Sequence, residues 1–225
     1  MKERIYTIPL TEVIVAGRGC PFCRLAARAE EALLRVYLEG MLVDVGWRGR
    51  VLEKWLCRHH LAGMQGQARK LGGALVTQAL LRKALEILAD HTGNACLPDW
   101  GSSCVACQDM DRTLLHHADA FISTWFAEPD FRSLAAKADP FCLPHLALIY
   151  HQTSRVSRRE RVSLRAELSR LEEEALRPLL AEVDWFVRKF DARFQDAPWQ
   201  GAEDAVERAV AVVAGSTKNT KGHAV

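Results

Sequence analysis

One four-donor signature is written twice along this chain, and it limits the possible folds more than any other feature. Cys20-Pro21-Phe22-Cys23 is followed, after 33 intervening residues, by Cys57-Arg58-His59-His60. Cys104-Val105-Ala106-Cys107 is followed, after 34, by Cys142-Leu143-Pro144-His145. The two copies keep a near-constant offset at every donor, and six of the seven cysteines fall inside them. Three thiolates and one imidazole are the donor set of a closed tetrahedral zinc site, so the sequence predicts two zinc ions per chain. Repetition in register predicts an internal duplication.

The metal candidates are therefore Cys20, Cys23, Cys57, His60, Cys104, Cys107, Cys142 and His145. Near-equal spacers favour pairing within each copy, as Cys20/Cys23/Cys57/His60 and Cys104/Cys107/Cys142/His145. Crossed pairing, each Cys-x2-Cys meeting the other copy's Cys-x2-His, is the alternative and gives a more interlocked fold. His59 neighbours His60 and is a substitute ligand if the turn differs. Iron–sulfur chemistry is the alternative to zinc, since such clusters also use thiolates with an occasional histidine. Cys20-Pro21-Phe22-Cys23, after Val13-Ile14-Val15 and before a helix, also mimics a redox-active turn. That fold needs further strands, and the pattern offers none.

Helical periodicity dominates. Residues 1–19 read as irregular or extended, with Val13-Ile14-Val15 the best strand pattern. In the first copy Leu25, Ala29, Ala32, Leu33, Val36 and Tyr37 share a face, and Gly40 ends or loosens that helix. A helix over 48–56 follows, then a helical pattern over 61–90 with a break at Gly72-Gly73, a stop at 91–93 and a loop over 94–103. In the second copy Leu114, Ala118, Phe121, Ile122 and Trp125 repeat the plan, and Pro129 breaks the helix. Asp130-Phe131-Arg132 echoes Gly46-Trp47-Arg48. A third region has no counterpart: Leu164, Leu168, Leu171, Ala175, Leu179, Val183 and Phe186 form a long stripe with a kink at Pro178. A short helix ending at Gly215 is expected to bury Val206, Ala209, Val210 and Val213. The expected fold is mainly α: duplicated helical hairpins, each clamped by a Cys3His site, plus C-terminal helices. The divisions are 1–93, 94–153, 154–215 and a tail over 216–225, all within one compact domain.

Composition excludes little beyond the extremes. An apolar fraction of 49% with 26% charged residues is that of a globular chain, and a net charge of +2 gives no strong field for nucleic acid or anionic lipid. No apolar run approaches the roughly 20 residues a spanning helix needs. The opening residues lack a signal-peptide core, so the expected compartment is the cytoplasm, where paired cysteines are metal ligands or redox thiols. Arg155, Arg158, Arg161 and Arg165 lie near one helical face that could meet phosphates, but residues 154–174 hold six Arg and five Glu, the balance of an ion-paired surface. No nucleotide-binding or hydrolase motif is present. The sequence thus favours a zinc-stabilised protein acting by interaction with an unknown protein partner. A metal-dependent or redox enzyme and a nucleic-acid-binding protein are the alternatives.

The opening Met1-Lys2-Glu3-Arg4-Ile5-Tyr6-Thr7-Ile8-Pro9, the Cys-Pro-Phe-Cys, the paired Cys-x2-His, and Lys189-Phe190-Asp191-Ala192-Arg193-Phe194 up to Pro198-Trp199 resemble a bacterial family catalogued as a domain of unknown function. The resemblance covers most of the chain. Ala192 stands where an aromatic residue is expected. The resemblance supports the metal positions and implies no substrate.

Overall fold

The computed structural model describes residues 2–17, 19–67, 70–89 and 103–216. The described residues are mainly helical and contain no strand. The helices are α1 (Lys2–Ala16), α2 (Pro21–Val43), α3 (Val45–Lys54), α4 (Arg58–Gln65), α5 (Lys70–Leu88), α6 (Val105–Ala127), α7 (Pro129–Ala135), α8 (Leu143–Gln152), α9 (Arg158–Arg188) and α10 (Ala205–Ala214), with a 3-10 turn at Thr153–Arg155. Two compact units emerge: Arg28–Thr113, and Met1–Ala27 together with Leu114–Val225. Their boundaries fall inside α2 and α6 and do not coincide with the sequence repeats.

In the unit over 28–113, Leu34, Tyr37 and Leu38 of α2 pack with Val51, Leu56, Met64, Val76 and Leu80. The buried face of α2 therefore runs through Leu34 and Leu38 rather than Ala32 and Val36, which are exposed. Gly40 does not end α2. It makes room for an aromatic ring, since a Cβ there would lie 2.9 Å from Trp47 Cδ1. Gly72 likewise lies inside α5, where a Cβ would come within 2.5 Å of the Leu38 carbonyl oxygen. Small residues at these points set how closely two backbones pack. The break expected there falls instead after Gln65, where α4 ends at Gly66. Asp44 caps α3 by accepting from the Gly46 and Trp47 N–H groups.

In the other unit, Leu114, Ala118, Phe121, Ile122 and Trp125 are all buried as expected. Phe121 meets Phe22, Phe131 and Phe141 edge-on at 5.5–6.3 Å, a packing mode that aromatic quadrupoles favour. The duplication is legible in these rings. Tyr37 and Trp47 pack with centroids 3.9 Å apart. Their counterparts in the second copy, Phe121 and Phe131, also pack together. Residues 2–16 form a helix, not the irregular segment expected. Leu10, Val13 and Ile14 are buried at helical spacing, which outweighs the β-branched Val-Ile-Val and the internal Pro9.

Helix α9 opens with a capping box between Ser157 and Glu160 and continues unbroken through Pro178. Leu164 and Leu168 are buried, while the later part of its stripe is half-buried. Gly215, with φ of 81°, ends α10. The face of α10 differs from expectation: Val206, Val210 and Val213 are exposed, and Ala202 and Ala205 are buried. Small alanines let α10 lie close against α8 and α9. The stop at 91–93, most of the 94–103 loop, Cys96 and the tail beyond Ser216 lie outside the described residues.

Candidate metal centres

All eight sequence-predicted donors gather, in two groups of four, and the pairing is crossed. Cys20 and Cys23 meet Cys142 and His145, and Cys57 and His60 meet Cys104 and Cys107. The within-copy pairing is thereby replaced, for a reason of length. Helix α2 runs on from Cys23 to Val43 and carries the chain about 30 Å, at 1.5 Å per residue. Helix α3 has only 10 residues and spans about 15 Å, too little to retrace that path whatever its direction. The same mismatch separates α6, with 23 residues, from α7, with seven. Neither spacer folds back onto its own start, so no ion clamps a self-contained hairpin. Each centre lies wholly within one compact unit.

Every donor pair uses the same local device. Cys57 and Cys142 are the N-cap residues of α4 and α8, with extended backbone. Cys20 and Cys104 directly precede α2 and α6, and all four cysteine carbonyls accept the first intrahelical N–H, at 2.9–3.3 Å. The second donor of each pair follows three positions later. A residue at the cap and one three further on lie on the same side of the helix start, as in a capping box. Each centre is thus assembled from two helix N-termini. One divalent ion with three thiolates carries a charge of −1. Two helix N-termini, at roughly +0.5 each, offset it.

The distances are those of ligands around one ion. In the first centre the His145 Nδ1 lies 3.6, 3.4 and 3.0 Å from the sulfurs of Cys20, Cys23 and Cys142, and Cys23 lies 3.6 Å from Cys142. In the second, His60 Nδ1 lies 3.2, 3.4 and 3.5 Å from Cys57, Cys104 and Cys107, and Cys57 lies 3.8 Å from Cys107. A tetrahedron with ordinary zinc bond lengths has S···S edges of about 3.8 Å and S···N edges of about 3.5 Å. A disulfide would need about 2.05 Å, and none of the six described cysteines is in one.

Without a cation, burial sets several of these thiols against ionisation. Burial raises Cys104 above the ordinary thiol value and pushes Cys20 and Cys107 well above it, and at Cys107 the neighbouring sulfurs add repulsion. Cys23 moves the other way, because Cys142 and Cys20 donate to it. A bound divalent ion reverses the first effect by supplying the missing positive charge.

The centres differ in exposure. Cys20, Cys23, Cys142 and His145 are all buried, and the Ser216 N–H donates to Cys23 Sγ at 3.4 Å. Cys57 and Cys107 are half-buried. His59 does not substitute for His60. Its Nε2 lies 2.6 Å from Glu30 Oε1 instead. Sequence reasoning missed Glu30, which sits further along α2 from Cys23 with no motif to mark it. Glu172, also missed, accepts the Phe141 N–H at 2.8 Å, directly before Cys142, and burial pushes its carboxyl up to about 7.

Against this geometry, comparison with known proteins is decisive for kinship alone. A family model described as a family of unknown function, DUF6062, matches residues 1–99 and 91–220. The chain belongs to this family. No curated protein and no solved structure matches the chain. Among the described residues of this DUF6062 member, no helix is long and apolar enough to cross a membrane.

The family-like segment near the C-terminus has a physical role. The Lys189 ammonium, almost fully buried, donates to the carbonyls of Phe194, Gln195 and Ala197 and lies 5.2 Å from the Trp199 ring centre. Trp185 Nε1 donates to the Pro198 carbonyl at 3.1 Å. The Asp191 carboxylate accepts three contacts from the Arg193 guanidinium. Phe194 and Trp199 therefore pin the turn to α9, against Trp185 and Phe186. Phe190 lies at the edge of this cluster, its ring 5.4 Å from that of Phe186, and is 77% exposed.

Proposed function

We propose that each centre holds one zinc ion in a structural role, and that this DUF6062 member acts in the cytoplasm by macromolecular interaction. The observation that carries the metal reading is the match of eight donor distances to the edges of a zinc tetrahedron. The same spacing argues against a polynuclear iron–sulfur cluster, which needs room for several irons and sulfides between its ligands. A closed four-ligand set leaves no open position for substrate, which supports a structural role. Elemental analysis of anaerobically purified protein, prepared without a metal-affinity column, should return two zinc equivalents per chain. Iron in place of zinc, or less than one equivalent in all, would overturn the reading.

The interaction reading places the contact surface away from the buried ions, at Phe190. A large exposed aromatic beside a rigid turn is a common anchor type. The turn itself is held by Lys189, so two variants separate packing from recognition. Lys189→Met should cost about 2–3 kcal/mol by leaving three carbonyls without their charged donor. Phe190→Ala should leave the melting temperature unchanged and weaken partner binding. A Phe190→Ala protein that captures the same partners as wild type ends the assignment of this surface.

A metal-dependent or thiol redox enzyme is the second reading, favoured by the half-exposed Cys57 and Cys107. Selective alkylation of those two thiols with release of one ion and loss of a measured activity would support it. Nucleic-acid binding through the arginine face has less support. Arg155 is paired with Asp119 at 2.6 Å, and Arg165 is engaged with Thr153 and the Tyr150 carbonyl.

A further inference from the structure

The duplication supplies an internal comparison between the two centres. At the offset set by the ligands, Glu30 and His59 of the first copy correspond to Leu114 and Pro144 of the second. Both members of the pair change together, from a carboxylate with an imidazole to two apolar residues. The change follows what stands beside each ligand histidine. The His145 ring packs 5.8 Å from Phe22, whose counterpart in the other copy is Ala106. The His60 ring instead has Glu30 Oε1 3.6 Å from its Nε2, on the side opposite the sulfurs. The same oxygen lies 2.6 Å from His59 Nε2. Glu30 is 12% exposed and His60 2%.

An imidazole that binds a metal through Nδ1 must carry its proton on Nε2. A carboxylate facing Nε2 favours that tautomer, orients the ring and raises the basicity of the ligating nitrogen. His59 Nε2 is close to the same oxygen but makes no aligned hydrogen bond with it, so the carboxylate sits between two imidazoles. We propose that the half-enclosed Glu30 is a positioning residue for the second metal centre, fixing His60 with Nδ1 toward Cys57, Cys104 and Cys107. The first centre dispenses with such support because burial and an aromatic wall hold His145. This inference rests on the metal reading and goes beyond it by assigning unequal support to the two ions.

The test is zinc release from the intact, fully loaded protein to a chromogenic chelator, with wild type and Glu30→Gln compared. The amide keeps the size of the carboxylate and removes its charge. One of the two zinc equivalents should leave about 10–100-fold faster in Glu30→Gln, and the other at the wild-type rate. In zinc-loaded, 15N-histidine-labelled protein, the His60 Nε2–H resonance should shift in Glu30→Gln, as its carboxylate neighbour is lost, while that of His145 stays in place. Loss of packing alone would not produce that signature. Unchanged release of both equivalents, or equal acceleration of both, overturns the inference while leaving the metal reading intact. A third zinc equivalent that disappears in Glu30→Gln also overturns it, by making Glu30 a ligand. Wild-type protein that binds no zinc overturns the metal reading and this inference with it.

Discussion

Cys20→Ser combined with Cys57→Ser should strip both zinc ions from the protein, whereas Cys57→Ser combined with Cys104→Ser should strip only one. The prediction follows from the crossed grouping, in which Cys57 and Cys104 serve the same ion and Cys20 serves the other. Within-copy pairing demands the reverse, because Cys20 and Cys57 would then share an ion and Cys57 and Cys104 would not. Stoichiometry reads the difference directly, as zero against one equivalent. Stability reads it through additivity. Two substitutions at one centre remove the same ion, so the second should add little to the first. Two substitutions at separate centres should approach the sum of the singles. If Cys20→Ser with Cys57→Ser retains one full equivalent, the crossed arrangement is wrong.

Much of this was legible in the chain because the chemistry is periodic. Four donor pairs with the same internal spacing announce metal sites, and the offset between copies recurs in packed rings as well as in ligands. Pairing was not legible, because spacer length in residues says nothing about direction. A 23-residue helix consumes most of the spacer while travelling one way, and the short helix after it cannot retrace the path. The face of α10 was misread for a related reason. Its valines look like a core stripe, but close packing against other helices selects the small Ala202 and Ala205. The opening segment looked unsuited to a helix because of Pro9, yet Leu10, Val13 and Ile14 bury a helical face regardless. Glu30 was invisible because a lone glutamate on an amphipathic helix carries no signal until the chain brings a histidine to it.

The larger effect on stability should come from Cys142→Ser. Cys142 is fully buried, and its centre joins residues as far apart as Cys20 and His145, 125 positions along the chain. The second centre spans at most 50, from Cys57 to Cys107. Closing the longer loop costs more conformational entropy in the unfolded chain's search, by about 0.8 kcal/mol on a logarithmic dependence, so its ion constrains the unfolded state more. Serine is the informative replacement. Cys142 is the N-cap of α8, a position serine favours, so the helix start is preserved and the loss reports the ion rather than the cap. Structural zinc binding is worth about 10–16 kcal/mol in small domains, comparable with the whole stability of a typical fold. Even if remaining contacts offset much of that, a loss of about 5 kcal/mol should lower the melting temperature by about 10–20 °C. Cys57→Ser, at a half-exposed ligand that is also an N-cap, should cost less. A strong chelator should bring the wild type below the Cys142→Ser curve, because it removes both ions where the substitution removes one. Cys142→Ser protein that melts within about 2 °C of wild type, less than a loss of 1 kcal/mol would produce, would show that the buried centre contributes packing without metal, since only an ion makes that one sulfur indispensable.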